Sequence, residues 1–181
     1  MFLKPIHTTS DQQALLAALA ETPFPKEITE QIYELIFIKN FSFHQLFSEL
    51  PPEALEKAYA IAKIYYESGN YKAAFPLFYA LVLYDHHNYN YVLGSAASLH
   101  LMGNYITAAQ GYALAYAASP SNPTPLFYGA ECMEKLKKYE AAIFLLDIAI
   151  TLSGESLEYH TLKERALLNQ TSLKKLIPGD L

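Results

Sequence analysis

The sequence predicts an all-α fold, a right-handed solenoid of stacked helix pairs. Three observations predict it. A short text recurs every 34 residues, the stretches between recurrences read as amphipathic helices, and the chain is 52% apolar with only 17% charged residues. A chain of 181 residues with that balance suits one globular domain with a sizeable core.

The recurring text is Gly69-Asn70-Tyr71, then Gly103-Asn104-Tyr105, then Lys137-Lys138-Tyr139. Three residues after each Tyr stands an alanine, Ala74, Ala108 or Ala142, and four further on come Phe78, Tyr112 and Leu146. Glycine suits the chain reversal between two helices, because a left-handed dihedral carries little penalty only there. The alanines let the second helix of a pair approach the first, and the larger residue four positions on fills the same helical face. Asn88 and Asn122 close the first two units. The period and pattern are those of the tetratricopeptide repeat, with three contiguous units at 55–88, 89–122 and 123–156.

A helical segment, 1–54, precedes the repeats. Ser10 is a helix N-cap for 11–21, which Thr22-Pro23-Phe24-Pro25 ends. A second helix spans 26–39 with Ile28, Ile32, Leu35 and Ile36 on one face. Pro51-Pro52 opens the first repeat helix. Beyond the repeats, 157–181 supplies a C-terminal capping helix, predicted over 155–169, with Leu157, Leu162 and Leu168 covering the last apolar edge. A frayed tail follows from 171.

The net charge of −5 and the lack of a basic stripe argue against nucleic acid or anionic membrane as partner. The single cysteine, Cys132, cannot pair internally, which fits a reducing compartment. No apolar run reads as a signal peptide. Residues 14–20 are too short, and the run from Ala141 to Leu152 is interrupted by Asp147 and too short to span a bilayer. A soluble cytoplasmic protein without stable membrane insertion is expected.

From His86 through Ala130 there are 45 residues without Asp, Glu, Lys or Arg. Asn, Gln, Ser and Thr can solvate such a surface, or another chain covers it. In the repeat, positions 2, 5, 9 and 12 of each unit line the inner surface. These are Glu56, Tyr59, Lys63 and Tyr66 in the first unit and Asn90, Leu93, Ala97 and His100 in the second. The third unit supplies Thr124, Phe127, Glu131 and Glu134. The first two sets make a charge-poor trough suited to an extended peptide with spaced apolar anchors. No glycine-rich phosphate loop, nucleophile elbow or zinc motif occurs. Adjacent His86 and His87 read as a repeat junction rather than a metal site, so no catalytic residue, cofactor or metal is expected.

Further text points to one branch of the repeat family. It comprises Leu55-Glu56 with Tyr59, Tyr66-x-x-Gly69-x-Tyr71, Ala80-Leu81, Leu83-Tyr84-Asp85-His86, Leu93-Gly94, Met102-Gly103-x-Tyr105 and Ala130-Glu131-Cys132. From about 41 to 152 the chain resembles the class II type III secretion chaperones for translocators, of the SycD, LcrH and IpgC kind. The resemblance implies a cytoplasmic chaperone, not an enzyme. It implies that an extended segment of a hydrophobic, pore-forming translocator sits in the concave groove and stays soluble before secretion. Carried to matching positions, the groove residues are Tyr59, Lys63, Tyr66, Tyr84 and Leu93. The resemblance also implies a homodimer through the N-terminal helices, for which Phe37, Phe41, Phe43, Leu46 and Phe47 could form the apolar face. A repeat scaffold joining folded partners in a secretion or signalling assembly is the alternative.

Overall fold

The computed structural model describes residues 52–177. Among them the chain forms seven α-helices and one 3₁₀ turn: α1 (Pro52–Glu67), α2 (Tyr71–Tyr84), α3 (Tyr89–Leu101), α4 (Tyr105–Ala118), α5 (Thr124–Lys135), α6 (Tyr139–Ser153), the 3₁₀ turn (Leu157–Tyr159) and α7 (His160–Lys174). The predicted helices at 11–21 and 26–39, and the dimer face of Phe37, Phe41, Phe43, Leu46 and Phe47, lie outside the described residues. No described helix is long and apolar enough to cross a membrane. The chain divides into two compact units between Asp85 and His86.

In the first unit α1 packs on α2. Ala62 of α1 and Ala74 of α2 are both fully buried, and Leu77 and Phe78 complete this core. Pro76 sits inside α2 without an N–H to give to the preceding turn, so α2 is built with one ladder bond fewer.

In the second unit α3 pairs with α4, α5 with α6, and α7 lies across α5 and α6. Ala108 and Ala142 are fully buried, as Ala74 is, and Tyr112 and Leu146 are buried as Phe78 is. Helices α3 and α4 approach closely at Gly111: a Cβ placed there would lie 2.8 Å from the Cβ of Ala96 and 3.3 Å from its Cα. The α5–α6–α7 core gathers Leu126, Phe127, Ala130, Leu146, Ala149, Ala166 and Leu173.

All three turns within the pairs share one hydrogen-bond pattern. Asn70 N–H donates to Tyr65 O at 2.8 Å, Asn104 N–H to Leu99 O at 2.9 Å, and Lys138 N–H to Met133 O at 2.9 Å. The residue before each donor, Gly69, Gly103 or Lys137, bonds back three residues and has φ of 81°, 83° or 59°. This is the Schellman termination, which requires a left-handed residue. The third turn therefore keeps the geometry of the other two although a side chain makes it strained. Caps explain three of the asparagines, while Asn104 makes no side-chain cap bond. Asn70 Oδ1 accepts from Ala73 N–H at 3.3 Å, Asn88 Oδ1 from Asn90 N–H at 3.1 Å and Tyr91 N–H at 3.4 Å, and Asn122 Oδ1 from Thr124 N–H at 2.9 Å.

The capping helix differs from its predicted span of 155–169. Gly154, at φ 50°, ends α6, a 3₁₀ turn intervenes, and α7 runs to Lys174. Lys163 Nζ donates to Gly154 O at 2.6 Å and pairs with Glu155 at 3.0 Å, which holds this turn against the new helix. Further along, Gln170 Nε2 donates to Asp147, and Lys174 Nζ donates to Gln170 Oε1 at 3.2 Å. These bonds need α7 to extend past residue 169.

Two stability predictions follow from these turns and contacts. Gly111→Ala should lower stability by about 1 kcal/mol in urea unfolding, because overpacking against Ala96 exceeds the gain in helix propensity. Adding Ala96→Gly should restore most of the loss, whereas no recovery would show that the approach is not limiting. Lys137→Gly should raise stability by about 0.5–1 kcal/mol by relieving the left-handed strain, and a decrease would refute that strain.

Candidate peptide-binding site

Tyr59, Lys63 and Tyr66 are spaced four and three residues apart, which places them on one face of α1. Phe78, from α2, stands edge-on to both rings, 6.0 Å from Tyr59 and 6.5 Å from Tyr66 between centroids. Tyr71 adds an edge contact to Tyr66 at 5.4 Å. Both tyrosines are thus seated on the core yet half-exposed, and Lys63 Nζ lies 6.0 Å from the Tyr59 ring centroid. An aromatic ring held this way keeps one surface for a partner while its orientation is set by packing. Tyr84 is exposed at the last residue of α2, on the second helix of the pair, so it does not share the face of the other three.

On α3, Asn90 is exposed in the first turn, and Leu93 and Ala97 are half-buried. His100, near the end of the helix, is ringed by tyrosines. Its Nδ1 lies 3.2 Å from Tyr112 Oη, and the rings of Tyr105, Tyr112 and Tyr128 stand nearly edge-on at 5.7, 5.9 and 6.4 Å. Tyr112 and Tyr128 stack on each other at 5.8 Å. This aromatic nest joins α3, α4 and α5. Burial there lowers the pKa of His100 below the usual histidine value, and the Lys135 ammonium adds to the effect.

The third set departs from expectation. Phe127 was expected to line the trough, but its ring is fully buried and belongs to the α5–α6–α7 core. The reason is α7: the Arg165 guanidinium lies 4.7 Å from the Phe127 ring centroid and covers it. Glu131, counted among the inner positions, is half-buried and paired with Arg165 at 3.3 Å. Burial raises its carboxyl pKa, and the Arg165 charge opposes that rise. The neighbouring Cys132 thiol is pushed up to about 12, by burial first and by the Glu131 charge second, and is an inert core group.

His86 and His87 lie in the turn before α3 with rings 4.0 Å apart, as a repeat junction requires. Within the charge-free stretch, Leu101, Ile106 and Leu114 are exposed, so part of its surface is apolar rather than merely uncharged. Sequence reasoning missed Arg165 and the tyrosines around His100. The signal for Arg165 was present, since it stands 34 residues after Glu131.

No family model matches the chain. The chain is 30% identical over 144 residues to the Low calcium response locus protein H of Yersinia pestis, an alignment covering 77% of this chain and 84% of the relative. Among solved structures it is similar to the Yersinia enterocolitica type III secretion chaperone SycD in complex with a peptide of the translocator YopD. That match has a TM-score of 0.68 at 28% identity and covers 71% of this chain and 98% of SycD. PcrH of Pseudomonas aeruginosa, in complex with the chaperone binding region of PopD, matches with a TM-score of 0.68 at 26% identity, covering 71% and 96%.

The lowered pKa of His100 has a defined sign. As pH falls the unfolded chain takes up this proton first, so the histidine's contribution to stability is whole above about pH 6.5 and is lost below it. In urea melts across about pH 7 to about pH 5, His100→Gln should flatten the fall in stability relative to the wild-type chain. Parallel curves would show that the nest does not hold His100 neutral.

Proposed function

The chain belongs to the class II type III secretion chaperones for translocators, and from that premise we propose that it holds an extended segment of a hydrophobic translocator on the inner positions of its repeats. Residues in each unit contribute: Tyr59, Lys63 and Tyr66 in the first, and Asn90, Leu93, Ala97 and His100 in the second. The observation that carries this reading is a partner seen in place. A chaperone of the same fold, at 28% identity, is solved with a translocator peptide bound to it. The chemistry of the inner positions supports it, because half-buried rings and short uncharged side chains offer apolar anchoring sites and polar tips to an unfolded backbone.

In this reading the protein is a holdase that works by mass action in the cytoplasm. A translocator with membrane-seeking segments aggregates or inserts when free. Binding lowers its free concentration without any bond being made or broken, so neither a catalytic group nor a cofactor is required. Ordering an extended peptide costs several kcal/mol, which places the affinity for an isolated segment at roughly micromolar. The full client touches more surface and binds tighter. Dimerisation through the N-terminal segment is part of the same proposal, with Phe37, Phe41, Phe43, Leu46 and Phe47 as its apolar face.

The joint substitution Tyr59→Ala with Tyr66→Ala should weaken binding of a fluorescent translocator peptide by more than about tenfold, since buried aromatic contacts are worth about 1–3 kcal/mol each. These rings also lean on Phe78, so Ala97→Glu provides a second variant that charges the α3 face without removing packing. Affinities within about twofold of wild type for both variants, read by fluorescence anisotropy with helicity retained, would sink the assignment.

A further inference from the structure

The period of 34 does not stop at the third repeat. Position nine of successive units is Lys63, Ala97, Glu131 and then Arg165, while position twelve is Tyr66, His100, Glu134 and then Leu168. Packing follows this count. Position ten is fully buried in Ser98, Cys132 and Ala166, and Ala166 makes that contact inside the α5–α6–α7 core. Position eight is buried in Ala62, Ala96 and Ala130, each packed with its own second helix. In α7 the same position is Glu164, largely exposed, and no described helix pairs with α7 on that side. So α7 is laid on the third pair as the first helix of a fourth unit would be. Its inner positions fall on the same side as those of α5, which the contact between Glu131 and Arg165, one period apart, records directly.

We propose that α7 extends the client-binding face by a fourth helix, and that Arg165 selects clients carrying a carboxylate just beyond their apolar anchors. This deepens the reading above and rests on it. The Arg165 guanidinium lies over the Phe127 ring, 4.7 Å from its centroid, a contact that restricts it before any partner arrives. Glu131 takes one N–H, from Nη2, at 3.3 Å, and the side chain remains 54% exposed, so most of the five-donor fork still faces outward. The pair is a single contact between an exposed guanidinium and a half-buried carboxylate whose charged form burial disfavours, which leaves Arg165 only partly engaged. A client carboxylate meeting the open edge of the fork bidentately makes the stronger contact. Leu168, one turn further along α7 and 69% exposed, offers an apolar contact beside it. The residues from His86 through Ala130 carry no Asp, Glu, Lys or Arg, so Glu131 and Arg165 introduce the fixed charge that can set where a client segment stops.

The test uses the full chain and a phage-displayed library of random dodecapeptides. Peptides selected by the wild-type protein should share apolar anchors followed at one fixed distance by Asp or Glu. A selected peptide should bind about tenfold more tightly than its Glu→Gln or Asp→Asn version. With Arg165→Gln that preference should fall to within about twofold while the anchor preference persists. Arg165→Lys, which keeps the charge and the helix contact but not the fork, should retain about threefold. Equal binding of the acid and amide peptides to wild type would overturn the proposal. So would an equal loss of both peptides in Arg165→Gln, because Arg165 would then only staple α7 to α5. Failure to select any anchored peptide would instead overturn the client-binding reading, and this proposal with it.

Discussion

The close approach of paired helices at a buried alanine is the contact on which the rest of the fold depends. Ala74, Ala108 and Ala142 stand one period apart at the point where each second helix meets its first, and any larger side chain there would push the pair open. The opening would unseat Phe78, Tyr112 and Leu146, which fill the next turn of the same interface. The Schellman turn sets the direction in which the second helix leaves, and the alanine sets how near it returns. Lys137 shows how firmly the constraint holds: the third turn adopts the left-handed conformation even where the residue resists it.

That packing also determines what the inner positions can offer. Phe78 both completes the first core and props Tyr59 and Tyr66 at a fixed tilt. Tyr112 does the same for His100 in the second unit. Rings seated on a core in this way are held by packing, and a pre-organised face of that kind would lose less entropy if a flexible partner were ordered on it, as the proposed function requires. The cost, under the proposed reading, is that the same rings would carry both stability and binding. A substitution in one changes the other, and packing-neutral changes such as a charge at Ala97 are needed to separate them.

The helical pairs, their turns and their order were legible in the sequence because they rest on local rules. A glycine or asparagine at a fixed offset, an alanine three residues past a tyrosine and an apolar residue four further on are read without knowing any neighbour. Asn88 and Asn122 were legible as unit ends, whereas the capping bonds of Asn70, Asn88 and Asn122 emerged only in the structure. Of the inner positions counted from the unit start, Tyr59 and Tyr66 in α1 and Leu93, Ala97 and His100 in α3 are half-exposed. The count failed at Phe127, and the failure is instructive. Exposure at position five depends on what lies beside the helix, and for α5 that neighbour is α7, which carries a long cationic side chain able to reach across.

By itself, then, the sequence determined the repeat period and the all-helical class, since these follow from backbone conformation and side-chain spacing. Tertiary structure alone decided which of those surfaces remain open. It placed Arg165 over Phe127 and against Glu131, nested His100 among three tyrosines, brought Gly111 against Ala96 and carried α7 past residue 169 to meet Asp147. Each of these joins side chains on different elements, and such meetings are governed by packing, for which the sequence held a signal only in the 34-residue spacing of Glu131 and Arg165.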